Sequence, residues 1–336
     1  MQTVGIAFAL TLATALVLTP ATAAIGRHIG WLDRPDGLRK LHPSPVPPTG
    51  GVAIAGAWLA VSVALGVSVP AMLACTAVFV LGTADDRFDL RPRTKLAVEL
   101  LIGAGLALAG PAIHTVMLPV VGTIPLGALA VPITALWFAG VVNALNLLDG
   151  LDGLAGGVAL IAASAFAGLL LGLAPAAAIG AAALAGAIAG FLPWNLHQAR
   201  VFLGDGGALF IGAVLAVTSI EAASAMPTAV PLLVLAVPLF DTALTVVRRA
   251  VSRAPLFRAD RGHVHHRLLD RGWSAGGVAA LLSGCGVGCA LAGLFAAGSD
   301  LGAVVALVVV GVGAAGLTHH IGYLERRASR RVDQRA

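Results

Sequence analysis

Two adjacent carboxylates, Asp85 and Asp86, close a long apolar run, and Arg87, Arg91, Arg93 and Lys95 follow directly. Paired acids at the end of a membrane-length helix repel one another and lose solvation, a cost that a metal ion, a cation or a shared proton must offset. A plain ion network with the neighbouring cations would do so, and so would a site where metal and phosphate meet. A second stretch, Asn143, Asn146, Asp149, Gly150, Asp152 and Gly153, is polar, broken by glycine and free of Lys and Arg. Its first three members are spaced by three, so they share a face if the helix continues through them. An acid at a membrane edge without an opposite charge marks a functional site by default; the plainer alternative is a capped helix end followed by a polar turn. A third stretch runs from Trp194 and Asn195 through Val201 and Phe202 to Gly204, Asp205 and Gly206. Asp205 suits the N-cap of the apolar run behind it. It equally suits a helix start where glycines let a phosphate or metal approach the backbone.

Two further breaks are cationic. Residues 33–51 carry Arg39, Lys40 and His42, and then Pro43, Pro45, Pro47 and Pro48, which fix an extended path before Gly50 and Gly51 let the chain turn. They form either a stiff linker or a strap that sets its cations over a phosphate. Residues 248–271 carry Arg248, Arg249, Arg253, Arg258, Asp260, Arg261, His263, His265 and His266. Three histidines without a cysteine, set among arginines that repel a cation, do not suit zinc. They suit hydrogen bonding to a diphosphate, the alternative being a solvated patch against lipid headgroups.

The elements that must position these residues are membrane helices. Hydrophobic residues make up 58% of the 336 and charged residues only 11%, far below the quarter or so usual in soluble domains. A helix needs about 20 apolar residues to cross a bilayer. The apolar segments run over 4–25, 50–68, 70–84, 95–110, 126–145, 156–173, 175–192, 206–224, 227–247, 275–297 and 300–318. The expected fold is therefore an all-α integral membrane protein of about 11 transmembrane helices, formed by one domain over residues 1–336 with a basic tail at 319–336. The first apolar run has Ala21, Thr22 and Ala23 in the manner of a cleavage site, but no Lys or Arg precedes it, so it reads as an uncleaved helix.

All 21 Lys and Arg residues fall in alternate breaks or in the tail: four over 27–40, four over 87–95, Arg200, seven over 248–271 and five over 326–335. Positively charged loops stay in the cytoplasm. The N-terminus is thus expected outside, the C-terminus in the cytoplasm, and the chemistry in cytoplasmic loops. The net charge of +5 fits anionic headgroups and phosphorylated substrates; nucleic acid is not an expected partner, because the basic residues are interleaved with membrane spans. Cys75, Cys285 and Cys289 sit inside apolar segments and read as packing residues.

Taken together, the five breaks resemble those of the polyprenyl-phosphate N-acetylhexosamine-1-phosphate transferase family, in the same order and over nearly the whole chain. The family's paired-aspartate motif is similar to Asp85-Asp86, with its Thr-Lys at Thr94 and Lys95. Its Asn-x-x-Asn-x-x-Asp-Gly-x-Asp-Gly motif matches residues 143–153, and its Trp-Asn and Val-Phe-x-Gly-Asp elements match Trp194-Asn195 and residues 201–205. The resemblance implies Mg²⁺, with Mn²⁺ as a substitute, on Asp205, and metal, phosphate and proton handling by Asp85, Asp86 and Asp149. It implies a phosphate contact for Lys95, uridine held by Asn195, Phe202 and Asp152, and donor contacts from Asn143, Asn146, Lys40, Arg261 and the histidines. His263-Val264-His265-His266 and Pro238 to Thr242 look like the branch that takes UDP-GlcNAc; the branch that takes the MurNAc-pentapeptide donor shows three adjacent histidines. The implied partners are a UDP-N-acetylhexosamine, a polyprenyl phosphate such as undecaprenyl or decaprenyl phosphate, and membrane lipids, with a homodimer possible. The implied reaction, at the inner (plasma) membrane of a bacterium with the site facing the cytoplasm, transfers sugar-1-phosphate to the lipid, releases UMP and starts a cell-envelope glycan. It proceeds by direct attack or through an aspartyl-phosphate.

Two rivals fit less well. A CDP-alcohol phosphotransferase would share Asp149-Gly-Leu-Asp152-Gly in outline, but its Ala-Arg step and distal aspartates are missing. A lipid or sugar transporter would carry polar residues near the bilayer midplane, often in inverted repeats, whereas here they collect in loops at one surface.

Overall fold

In the computed structural model, residues 1–35, 44–196, 198–253, 262–320 and 322 are described. Lys40, with Arg39 and His42, and Arg261, with Arg258 and Asp260, lie outside them, as does nearly all of the basic tail.

The described chain is almost entirely helical: α1 (Gln2–His28), α2 (Gly50–Leu65), α3 (Val69–Phe88), α4 (Pro92–Ala109), α5 (Ala130–Leu148), α6 (Leu154–Leu169), α7 (Pro175–Asn195), α8 (Gly204–Ala225), α9 (Ala229–Val234), α10 (Ala236–Val251), α11 (Val264–Leu269), α12 (Ala275–Ala296) and α13 (Asp300–His320). Seven helical segments among the described residues, those containing α1, α3, α5, α7, α8, α12 and α13, are long and apolar enough to cross a membrane; α2 and α6 are apolar but shorter. The chain is an all-α membrane protein. Two features depart from the sequence reading. The apolar stretch over 227–247 is two helices rather than one, α9 and α10, meeting at Leu235. Pro231 and Pro238 flank that joint, and Pro238 has no amide to offer the preceding turn. Between α4 and α5 an antiparallel hairpin, β1 (Thr115–Leu118) and β2 (Gly122–Pro125), pairs Thr115 with Pro125 and Leu118 with Gly122.

α8 is the axis of the bundle. Almost every residue from Gly206 to Ala223 is buried, and α2, α3 and α5 all pack on it. Close approach at the polar end depends on glycine. A methyl on Gly82 of α3 would lie 2.6 Å from the Asp205 carbonyl oxygen and 2.7 Å from the Cα of Gly206, and one on Gly207 would lie 2.8 Å from the Cα of Gly51 in α2. The proline-rich strap extends this contact: the Phe202 amide donates to the Pro47 carbonyl (3.0 Å), Gly50 donates to Phe202 (2.9 Å) and Gly51 donates to Leu203 (3.0 Å). Gly204 makes the turn into α8 at φ +75°, a conformation that side chains resist.

The breaks α3/α4, α5/α6, α7/α8 and α10/α11 therefore converge at one end of the bundle. The breaks α2/α3, α4/α5, α6/α7, α8/α9 and α12/α13 gather at the other. The hairpin docks there, with Met117 donating to the Thr228 hydroxyl (2.9 Å) and receiving the Thr228 amide (3.1 Å).

Gly82→Ala should lower the thermal midpoint of the detergent-solubilised protein by an amount equivalent to about 1–3 kcal/mol, the usual cost of overpacking. Gly105→Ala, on a part of α4 with nothing within 4 Å, serves as control and should melt at or above the wild-type temperature. Equal melting of the two variants would show that the α3–α8 approach does not hold this end together.

Candidate active site

The two adjacent aspartates have separate tasks. Asp85 accepts the Leu90 amide on Oδ1 (2.7 Å), and its Oδ2 pairs with the Lys95 ammonium across the α3/α4 turn. Asp86 points the other way, into the start of α8, where its oxygens accept the amides of Asp205 (2.9 Å) and Gly206 (3.0 Å). First-turn amides have no partner within their own helix; Asp86 caps α8 from a different helix and so fixes where Asp205 stands. Asp205 itself lies within the first turn, after Leu203 at the N-cap position, so it is not the cap that its place before an apolar run suggested.

Around Asp205 the motifs meet. Oδ1 accepts the Asn146 amide nitrogen (2.9 Å) and Oδ2 lies 3.4 Å from Lys95 Nζ. Lys95 thus stands against both Asp85 and Asp205. Asp205 keeps 41% of its side-chain surface open, against 9% for Asp85 and 12% for Lys95, and is the most open of the three. α5 runs to Leu148, so Asn143 and Asn146 do share a face, and Asp149 ends the helix. Burial, reinforced by Asp205, Asp86 and Asp152, pushes the Asp149 carboxyl up to about 8. Asn143 lies one turn further into the bundle, donating to the fully buried Glu99 of α4 and to the Ala139 carbonyl (2.8 Å).

The residues assigned to uridine hold loops together as well. Asn195 is buried, accepts the Gly153 amide (2.9 Å) and donates to the Val201 carbonyl (3.1 Å). Asp152 accepts the Ala199 amide (2.9 Å). These bonds tie the α5/α6 turn to the α7/α8 turn. Beside them opens a cavity of about 930 Å³ lined by Asp152, Phe202, Arg27, Arg200, Leu192 and Ala279 among others.

The histidines approach from the far side of the α5/α6 turn. A separate hydrophobic cluster of Leu148, Leu154, Val158, Val264, Leu268, Val278 and Leu282 docks α11 against the end of α5 and the start of α6. His265 is thereby brought to the Asp149–Gly150 turn: a methyl on Gly150 would lie 2.5 Å from its Nε2. His263 pairs with Asp241 of α10 (2.8 Å), and His266 tilts against His265 with ring centroids 4.2 Å apart.

The profile of glycosyl transferase family 4 matches residues 69–223. A probable undecaprenyl-phosphate N-acetylglucosaminyl 1-phosphate transferase of Bacillus subtilis (strain 168) is 32% identical over 286 residues, covering 82% of this chain and 79% of the relative. The chain belongs to this family of transferases. An undecaprenyl-phosphate alpha-N-acetylglucosaminyl 1-phosphate transferase of Thermotoga maritima is 36% identical, covering 74% of this chain and 76% of its own. A decaprenyl-phosphate N-acetylglucosaminephosphotransferase of Mycobacterium tuberculosis is 35% identical, covering 70% and 68%.

Two acids of this transferase lie in the site region without having been singled out for it from the sequence. Glu99 follows Lys95 by four, on the same face of an apolar helix, and that spacing alone makes an intramembrane acid worth attention. Asp241 read only as a mark of subfamily, yet it is 4% exposed and bonded to the histidine loop.

His265 supplies a test of the geometry. Burial, reinforced by His266, lowers its pKa from the usual 6.5 to about 4. The folded enzyme therefore leaves this ring neutral where the unfolded chain protonates it, and the site's contribution to stability, intact above about pH 6.5, falls as pH drops toward 4. His265→Gln, which cannot titrate, should lose less stability than wild type between pH 6.5 and 4 in thermal melts. Equal acid sensitivity of the two proteins would contradict the buried, neutral ring.

Proposed function

We propose that this transferase moves GlcNAc-1-phosphate from UDP-GlcNAc to a polyprenyl phosphate and releases UMP. The names of the relatives support donor sugar and acceptor alike, and the His-Val-His-His form of the loop favours UDP-GlcNAc over the MurNAc-pentapeptide donor. The observation that carries the reading is the convergence of Asp85, Lys95, Asn146, Asp149 and Asp205 at one end of a membrane bundle. A lipid phosphate can reach that end from the bilayer and a nucleotide from water.

Every described Lys and Arg lies at that same end, and the opposite breaks carry none. Positive charge is retained in the cytoplasm. The reading therefore faces the site inward at the plasma membrane, with eleven crossings if α9 and α10 count as one and the N-terminus outside.

The residues present fit a hard divalent cation. Asp85, Asp86, Asp149 and Asp205 offer only oxygen, and Lys95 is the one ammonium paired with them among the described residues. No group of three or more His, Cys, Asp or Glu there is arranged as a full metal cage, which suits Mg²⁺, an ion that takes one or two carboxylates and keeps water and phosphate oxygens. Asp205, the most open of Asp85, Lys95 and Asp205, would hold it. When bound, Mg²⁺ neutralises charge on the diphosphate oxygens.

In the reaction an oxygen of the lipid phosphate attacks the β-phosphorus of the donor. The new P–O bond forms as the anhydride P–O bond breaks, and UMP leaves with the bridging oxygen. Phosphoryl transfer depends mainly on position and electrostatics; Lys95 supplies charge beside the diphosphate, and Asn146 orients Asp205. The attacking monoester is already largely ionised at neutral pH, so no strong base is required. Both oxygens of Asp85 are engaged, by the Leu90 amide and Lys95, which favours direct attack over an aspartyl-phosphate at that residue. The cavity lined by Phe202 and Asp152 has room for the nucleotide half.

Purified protein with Mg²⁺, undecaprenyl phosphate and a panel of UDP-sugars should release UMP fastest from UDP-GlcNAc. No UMP from any sugar would end the enzymatic reading, and a preference for UDP-MurNAc-pentapeptide would move the chain to the other branch. Asp205→Asn should lose turnover about 10²–10³-fold, in the range of a removed electrostatic stabiliser, together with its response to Mg²⁺. Wild-type rates in that variant would remove Asp205 from the metal.

A further inference from the structure

One buried carboxylate beside the site takes no part in the reaction as read so far. Asp241 stands in α10, beyond the joint at Leu235, and is 4% exposed. Its Oδ2 lies 2.8 Å from Nδ1 of His263, and its Oδ1 accepts the Val264 amide at 2.8 Å. Thr245, one turn further along α10, brings its hydroxyl to 3.4 Å from the same ring nitrogen. A carboxylate can only accept, so the ring nitrogen facing it must carry the proton. The Val264 amide belongs to the first turn of α11 and has no helical acceptor of its own. A single side chain thus fixes the tautomer of His263 and the start of the helix that follows.

That helix carries His265, which is 1% exposed and has no hydrogen-bond partner on either ring nitrogen. Its ring stacks on His263 with centroids 5.7 Å apart and meets the Asp149–Gly150 turn on its other side. A buried ring with both nitrogens unsatisfied is costly unless a ligand completes it. Its neighbour His263 is already committed to Asp241 through Nδ1. The two histidines are therefore not equivalent.

We propose that Asp241 is a positioning residue of this transferase: it holds His263 with its proton on Nδ1, anchors α11, and so sets His265 against the catalytic turn to meet the donor diphosphate. The last clause rests on the function proposed above; the Asp241–His263 pairing does not.

The test uses the full-length protein in lipid nanodiscs, labelled with ¹⁵N at histidine, alongside the UMP-release assay. In wild type one histidine should show a protonated Nδ1, and that signal should vanish in His263→Gln. Asp241→Asn should shift the same signal, lower kcat roughly 10–100-fold, as loss of a partner that orients a functional histidine commonly does, and leave the donor KM near its wild-type value. His263→Gln should lose a similar factor, and the double variant no more than either single one, because both changes break one device. An unprotonated Nδ1 on His263, or wild-type kcat in Asp241→Asn, overturns the proposal. Should Asp241→Asn fail to fold, the wild-type spectrum and His263→Gln still decide, and wild-type turnover in His263→Gln overturns it as well. Absence of any UMP release by the wild type, with the Nδ1 proton in place, would count against the reaction while upholding the pairing.

Discussion

The site depends on a carboxylate from one helix capping another. Asp86 receives the first amides of α8, and this contact, with the glycines that let α3 and α2 approach, settles where Asp205 can be. Hydrogen bonds to a charged group contribute about 1.5–3 kcal/mol each, more than most surface ion pairs. The cap also resolves a conflict built into the sequence. Two neighbouring acids would repel one another if both faced the same space; here Asp85 turns to Lys95 and Asp86 turns to the helix terminus. Each finds a different positive partner, one an ammonium and the other a pair of backbone dipoles.

From that cap the other parts follow in order. The strap over 44–51 lies along Phe202 and Leu203 and holds the turn into α8. Asn146 on α5 and Lys95 on α4 then reach Asp205 from two further sides. Asn195 and Asp152 tie the α5/α6 and α7/α8 turns to each other, and so join the cavity lining to the turn that carries Asp149. Polar side chains in an apolar bundle are tolerated when they satisfy one another. Here they do so chiefly at one end, and α8 from Gly206 to Val217 is uniformly apolar.

Much of this was legible in the sequence because the signals are coarse and physical. Cations in alternate breaks, acids at the ends of apolar runs and an Asn-Asn-Asp spacing of three each point to a polar cluster at one end of a bundle, and Asn146 and Asp205 meet there, with Lys95 against both Asp85 and Asp205. What was not legible depends on side-chain direction. Nothing in the adjacency of Asp85 and Asp86 says that they face opposite ways. Hydropathy over 227–247 gives one smooth apolar stretch, and only the spacing of Pro231 and Pro238 hints at the break. Glu99 and Asp241 are the single acids of their helices; their meaning comes from Asn143 and His263, which lie in other breaks of the chain. The hairpin over 115–125 is too short to stand out by periodicity. Lys40 and Arg261, expected over the phosphates, fall outside the described residues.

The histidine loop shows how a short helix can be both located and aimed. α11 is only six residues long and cannot hold itself together, since short helices gain little from their own hydrogen bonds. Its stability must come from contacts elsewhere, and two are available: the apolar cluster of Val264 and Leu268 with Leu148, Leu154 and Val158, and the Asp241 carboxylate at its first turn. The first is indifferent to direction, because hydrophobic contact specifies proximity and not angle. The second is directional, and it acts on the same residue pair that begins the helix. Burial brings α11 to the end of α5; the carboxylate orients it there. The same division of labour holds at α8, where glycine contacts give closeness and Asp86 gives orientation, so both halves of the site are built from an apolar contact that locates and an acid that aims.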